Sequence, residues 1–118
     1  MNVLLVEDND LVSKLTTAML AHGGHDVVVA SSADEALAIE REGNPIDLIL
    51  VDLVLGAGQN GYALIEQFTE RRVGLRVVIV SGHADPVTLP PIHDVKGVVF
   101  VPKPYNEQQL LAAVDSLA

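Results

Sequence analysis

Apolar runs of four or five residues alternate along this chain with longer segments whose apolar residues recur every three or four positions. The short runs read as strands buried on both faces, and the periodic segments as helices laid over them. Strands are expected at residues 3–6, 26–30, 48–51, 76–80 and 98–101, four of them almost wholly apolar. Leu11, Leu15, Ala18 and Met19 fall at helical spacing behind a cap at Asn9 or Asp10, and Gly23-Gly24 stops that helix. A second helix opens on the capping-box pattern Ser32-Ala33-Asp34-Glu35 and ends near Gly43-Asn44-Pro45. Asn60 is placed to cap a third, with an inward stripe of Ala63, Leu64 and Phe68. The last helix follows Asn106 and carries Leu110, Leu111, Val114 and Leu117.

This alternation predicts an α/β fold with a doubly wound parallel sheet. At 118 residues the chain fits one domain, 1–118, large enough to bury a core. One crossover breaks the pattern. Pro86, Pro90 and Pro91 fall between Ser81 and Val98, together with His83 and His93. Each proline lacks an amide donor and collides with the preceding helical turn. The fourth helix is therefore expected to be short or irregular, with faster amide exchange than the first and last.

Charge narrows the range of functions. Sixteen acidic residues against seven basic give a net charge of −9, which argues against direct nucleic-acid binding. The surplus suits metal cations or basic partners, and equally a solvated acidic surface. With no cysteine there is no disulfide framework, thiol catalysis or cysteine-based zinc site. The first apolar stretch is short and lacks a basic leader, and no run approaches the roughly 18 apolar residues of a membrane span. The expectation is a soluble cytoplasmic domain with no membrane contact.

Polar residues end several of the strand-like runs. Glu7 and Asp8 follow the first, Asp52 follows Leu48-Ile49-Leu50-Val51, Ser81 follows the fourth and Lys103 the fifth. In open parallel sheets, ligands bind outside the carboxyl ends of the strands. Three convergent carboxylates repel one another unless a hard divalent cation joins them, and Mg²⁺ takes one or two carboxylates plus waters and phosphate oxygens. Alone, Glu7 and Asp8 would also serve as helix-start acids. Ser81 alone suits a strand-end cap, and Lys103 alone a solvent-facing turn lysine. Ser81 can also donate to a phosphoryl oxygen, with Gly82 leaving room for the group. Lys103 sits between Pro102 and Pro104, and the Lys103–Pro104 bond is a candidate for the cis form.

Taken together, these segments resemble the receiver domain of two-component response regulators and hybrid histidine kinases. Leu4-Leu5-Val6-Glu7-Asp8-Asn9 is similar to that family's acidic first-strand signature. Leu48-Ile49-Leu50-Val51-Asp52-Leu53 resembles its phosphoacceptor strand, and Asn60-Gly61-Tyr62 the glycine that opens the third helix. Val78-Ile79-Val80-Ser81-Gly82 resembles its switch-hydroxyl segment, and Phe100-Val101-Pro102-Lys103-Pro104-Tyr105 its aromatic and lysine segment. The resemblance implies a flavodoxin-like (βα)5 fold with five parallel strands in the order 2-1-3-4-5. It implies that Asp52 takes a phosphoryl group from a histidine kinase or histidine phosphotransfer protein. Mg²⁺ would be held by Glu7, Asp8, Asp52 and the backbone carbonyl of Val54. Ser81, Gly82 and Lys103 would meet the phosphoryl oxygens, and Ser81 and Phe100 would move as a switch. Homodimerisation is a further implied option. Catalysis beyond self-catalysed transfer and autodephosphorylation is not expected.

Some positions depart from that pattern. Glu7 stands where Asp is commoner, Ser81 where Thr is, and Phe100 where Tyr is. The segment from Asp52 to Gly61 looks about one residue longer than usual, with Gly56 where proline is common. A small haloacid-dehalogenase-like phosphohydrolase is the alternative, since it also uses an aspartate nucleophile, Mg²⁺ and a lysine. It normally carries a second acid two residues after the nucleophile, where this chain has Val54. A flavodoxin-like cofactor binder would need a glycine-rich loop after the first strand. A phosphorylation-independent interaction domain would not need the acidic site. Cognate kinase, output and oligomeric state are not legible, nor is whether the chain is free-standing or part of a larger regulator.

Overall fold

The alternation of residues on each strand divides the interior into two layers. In the computed structural model, which describes residues 1–52, 61–72, 74–81 and 97–117, five strands form one parallel sheet. They are β1 (Asn2–Val6), β2 (Asp26–Ala30), β3 (Leu48–Asp52), β4 (Arg76–Ser81) and β5 (Val98–Pro102). Their order is β2-β1-β3-β4-β5, as expected. Four helices are described: α1 (Asp10–His22), α2 (Ala33–Arg41), α3 (Gly61–Arg71) and α4 (Glu107–Ser116). Leu4, Val6, Ile49, Val51, Val77 and Ile79 turn to one face, where Ala36 of α2 and Leu64, Ile65 and Phe68 of α3 cover them. Val3, Leu5, Leu48, Leu50, Val78 and Val80 turn to the other, under Leu20 of α1 and Leu110 and Val114 of α4. This is the period-two alternation of a strand covered on both sides.

Two apolar stripes differ from expectation. On α1, Leu11 is 67% and Leu15 53% exposed, and Ala18 is exposed too, whereas Ser13, Thr16 and Leu20 are buried. The spacing located the helix, but its inward face is partly hydroxylic. On α3, Ala63 is exposed and Ile65 takes the inward place beside Leu64 and Phe68. The apolar run of β2 is also more open than a doubly covered strand. It pairs with β1 and lies at the sheet edge, leaving Val28 and Val29 exposed. The Asn60 cap, the loop around Gly56 and the crossover with Pro86, Pro90, Pro91, His83 and His93 lie outside the described residues.

Helix ends follow their side-chain chemistry. Asn9 caps α1 by accepting from the Val12 amide at 3.0 Å. Gly23 ends α1 where a Cβ would stand 2.5 Å from the tip of the Leu111 side chain, which would have to shift, and Gly24 takes φ +84°, the left-handed region that favours glycine. Ser32 accepts from the Glu35 amide at 3.1 Å, and the Glu35 carboxylate meets the Ser31 hydroxyl. At α4 the box is complete: Asn106 Oδ1 accepts from the Gln109 amide at 2.8 Å, and Gln109 Oε1 from the Asn106 amide at 2.9 Å. Asn106→Ala is expected to cost about 1 kcal/mol and lower the melting temperature by about 3–6 °C. A thermal melt followed by circular dichroism checks this; an unchanged midpoint would mean that the cap contributes nothing.

Candidate functional site

Because all five strands run in parallel, their carboxyl ends share one edge of the sheet. The register then decides which residues meet there. Val6 pairs with Val51, Asp52 with Val80, and Ser81 with Pro102. Glu7 one residue past β1, Asp52 ending β3, Ser81 ending β4 and Lys103 one residue past β5 therefore arrive together. Lys103 Nζ donates to Asp52 Oδ2 at 2.5 Å and lies 3.4 Å from Glu7 Oε1. Glu7 and Asp52 are buried, Lys103 is partly exposed, and Asp8 beside them faces solvent. The Lys103–Pro104 bond is cis. Val54 and Gly82 lie outside the described residues. Phe100, half-buried in β5, pairs with Ile79 and packs against the layer under α2 and α3.

Burial sets the electrostatics of the site. It raises the Glu7 pKa above the usual carboxylate value; the Lys103 charge pulls it back and Asp52 adds to the rise. For Lys103 burial acts against the ammonium, but the hydrogen bond to Asp52 and the charges of Asp52 and Glu7 outweigh it. Its pKa stands above the usual lysine value. The ammonium therefore stays charged near neutrality.

These side chains suit a hard divalent cation. Fully ionised, Glu7, Asp8 and Asp52 against Lys103 leave three minus one, or two, uncompensated negative charges. Glu7 Oε2 is buried without a hydrogen-bond partner among the described residues, an orphaned carboxylate oxygen beside Asp52. Among the described residues no group of three acids or histidines already stands close enough to chelate an ion. The fit thus rests on donor chemistry and charge, with Lys103 lying between Glu7 and Asp52.

Two nearby contacts were not legible in the sequence. Thr16 Oγ1 and Tyr105 Oη lie 2.7 Å apart, joining α1 to the segment that carries Lys103. His22 Nδ1 and Glu107 Oε1, 2.6 Å apart, join α1 to α4. The spacing Ser13, Thr16, Leu20 was the available signal, but a hydroxyl on a helix does not reveal which way it faces.

A five-stranded parallel sheet in the order 2-1-3-4-5, with polar chemistry gathered at its carboxyl edge, defines the flavodoxin-like class of α/β proteins. The chain belongs to the response regulator receiver domain family, which matches residues 3–115. That membership makes it a receiver-type signalling domain of the two-component class and lends no support to the phosphohydrolase alternative. The alginate biosynthesis transcriptional regulatory protein AlgB of Pseudomonas aeruginosa is 33% identical over 116 residues, covering 98% of this chain and 25% of that protein. The sensor kinase CckA of Brucella abortus is 30% identical over 116 residues, covering 98% of this chain and 12% of that protein. A crystal structure of the receiver domain from the hybrid histidine kinase CckA superposes with a TM-score of 0.82 at 28% identity, covering 100% of both chains. The chain spans less than half the full length of AlgB, of the sensor kinase CckA and of two further curated relatives. Among the described residues no helix is long and apolar enough to cross a membrane.

Proposed function

We propose that Asp52 is the phosphoacceptor, taking a phosphoryl group from a histidine of a partner kinase or phosphotransfer protein. The observation that carries this reading is the Lys103 ammonium 2.5 Å from Asp52 Oδ2 at the carboxyl edge of the sheet. An Asp52 oxygen attacks phosphorus, the P–N bond to the donor histidine breaks, and the imidazole leaves with its electron pair. An acyl phosphate remains on Asp52. Lys103 passes from the Asp52 carboxylate to a phosphoryl oxygen and neutralises the charge gathering there. Glu7, Asp8 and Asp52 would hold Mg²⁺, which when bound supplies charge neutralisation to phosphoryl oxygens. Ser81 would donate to another of those oxygens, with Gly82 making room. Phe100 would turn further inward, and that state depends on packing because a phenyl ring has no hydroxyl to bond. The phosphoryl contacts thereby shift the balance between two packings of the domain.

The test is incubation of the protein with acetyl phosphate and Mg²⁺, read by intact mass, with beryllofluoride binding measured alongside. One added phosphoryl group is expected, absent when Mg²⁺ is chelated before acetyl phosphate is added and absent in Asp52→Ala. An adduct that survives Asp52→Ala, or failure of both acetyl phosphate and beryllofluoride to react, would sink the assignment.

A further inference from the structure

Lys103 lies on a three-residue connection strung between two fixed points. Pro102 ends β5 in register with Ser81, and Asn106 caps α4. Between them, Tyr105 reaches across to α1, where its hydroxyl meets Thr16 Oγ1 at 2.7 Å. Thr16 is 1% exposed and Tyr105 half-buried, so this is a partly buried bond between two neutral hydroxyls. Burial raises the Tyr105 pKa, with the Thr16 hydrogen bond partly opposing the shift, so the phenol keeps its proton through the neutral range. A cavity of about 460 Å³ opens beside this bond, lined by Val12, Leu15, Met19 and Lys103 among others. The Tyr105 ring packs against the layer under α1 and α4, and the hydroxyl pair beside the cavity is a direct polar tie between α1 and the connection.

The position of this tie bears on the site. α1 begins three residues after Glu7, so the element that continues from the acids is fastened to the segment that carries the ammonium. The sheet fixes the strand tips, but Lys103 is one residue beyond its last paired neighbour. We propose that Thr16 and Tyr105 are positioning residues that set the reach of Lys103 toward Asp52 and an arriving phosphoryl group. This role rests on the reading of Asp52 as phosphoacceptor. Neither hydroxyl touches the reacting atoms; both act through where Lys103 stands. A misplacement of about 1 Å can cost on the order of a hundredfold in rate, so loosening the connection has a measurable effect.

The experiment is the initial rate of phosphorylation of the whole chain by acetyl phosphate with Mg²⁺. Tyr105→Phe and Thr16→Val each remove one hydroxyl with little change in volume, and each is expected to slow uptake about fivefold. The double variant is expected to be no slower than the slower single one, because both break the same bond. Thr16→Ser keeps a hydroxyl at the same place and is expected to restore the wild-type rate. A wild-type rate in both single variants would overturn the positioning role. So would Thr16→Ser as slow as Thr16→Val, which would assign the effect to packing. A wild-type chain that takes up no phosphoryl group would overturn the acceptor reading and the positioning role with it. If the wild type reacts and both variants keep pace, the positioning role falls alone.

Discussion

Lys103→Met is expected to slow phosphoryl uptake by about a hundredfold or more and to destabilise the resting protein as well. The kinetic loss follows from removing the Lys103 ammonium from hydrogen-bond reach of Asp52, since deleting a single preorganised donor at a charged transition state typically costs on the order of 10²–10³ in rate. The stability loss has a separate origin. Without Lys103, Glu7 and Asp52 become two buried carboxylates facing each other, and Glu7 loses the charge that holds its pKa down. Breaking a buried pair costs about 3–5 kcal/mol, but a quarter of the Lys103 side chain is exposed, so about 1–3 kcal/mol is expected here. Mg²⁺ should restore part of that loss by binding the folded state alone. Thermal melts at pH 7 with and without Mg²⁺ provide the measurement. A midpoint unaffected by the substitution would contradict the electrostatic account.

Glu7→Gln should act in the opposite direction on stability and in the same direction on function. The pKa of Glu7 is raised in the folded chain, chiefly by burial, so the folded state holds that proton more tightly than the unfolded one. The stability it contributes is complete below its unfolded value, near 4.5, and is lost as pH rises through the raised folded value. Lys103, also raised, follows the same rule at the alkaline end, where its contribution disappears as it loses its proton. An amide at position 7 carries no charge to desolvate, so the variant should melt about 2–5 °C higher than wild type at pH 7 in the presence of a chelator. The two proteins should converge toward pH 4.5. Mg²⁺ affinity, read by calorimetric titration, should fall about tenfold because one anionic oxygen is gone. A variant less stable than wild type at pH 7, or a gap that does not narrow toward acid, would show that the Glu7 charge is well accommodated. The expected pattern is a site that sacrifices stability to keep an acid buried.

The particular residues show why some features were legible in the sequence and others were not. β1, β3 and β4 are buried at nearly every position, and their length and composition made them readable as strands. Strand tips in a parallel sheet fall on one edge, so Glu7, Asp52 and Lys103 could be grouped before any coordinates; they do lie together. Orientation was harder to read. Leu11 and Leu15 suggested a core face on α1, yet the helix turns Thr16 inward because a hydroxyl partner, Tyr105, waits there. Periodicity reports the angle between residues and not the face chosen, and a buried hydroxyl looks like a solvated one until its partner is known. Ala63 and Ile65 flank Leu64 on opposite sides of the helix, and the buried stripe widens toward the larger Ile65. The exposure of Val28 and Val29 depends on β2 being outermost, which is a property of the whole sheet.

One consequence concerns β5. Its hydrogen-bonded neighbour in the sheet is β4, and its residues divide between the layers: Val98 and Phe100 join the side of α2 and α3, Val99 and Val101 the side of α1 and α4. Lys103 is the continuation of that strand. A displacement of the strand tip that carries the ammonium would therefore be felt by side chains packed on both faces of the sheet.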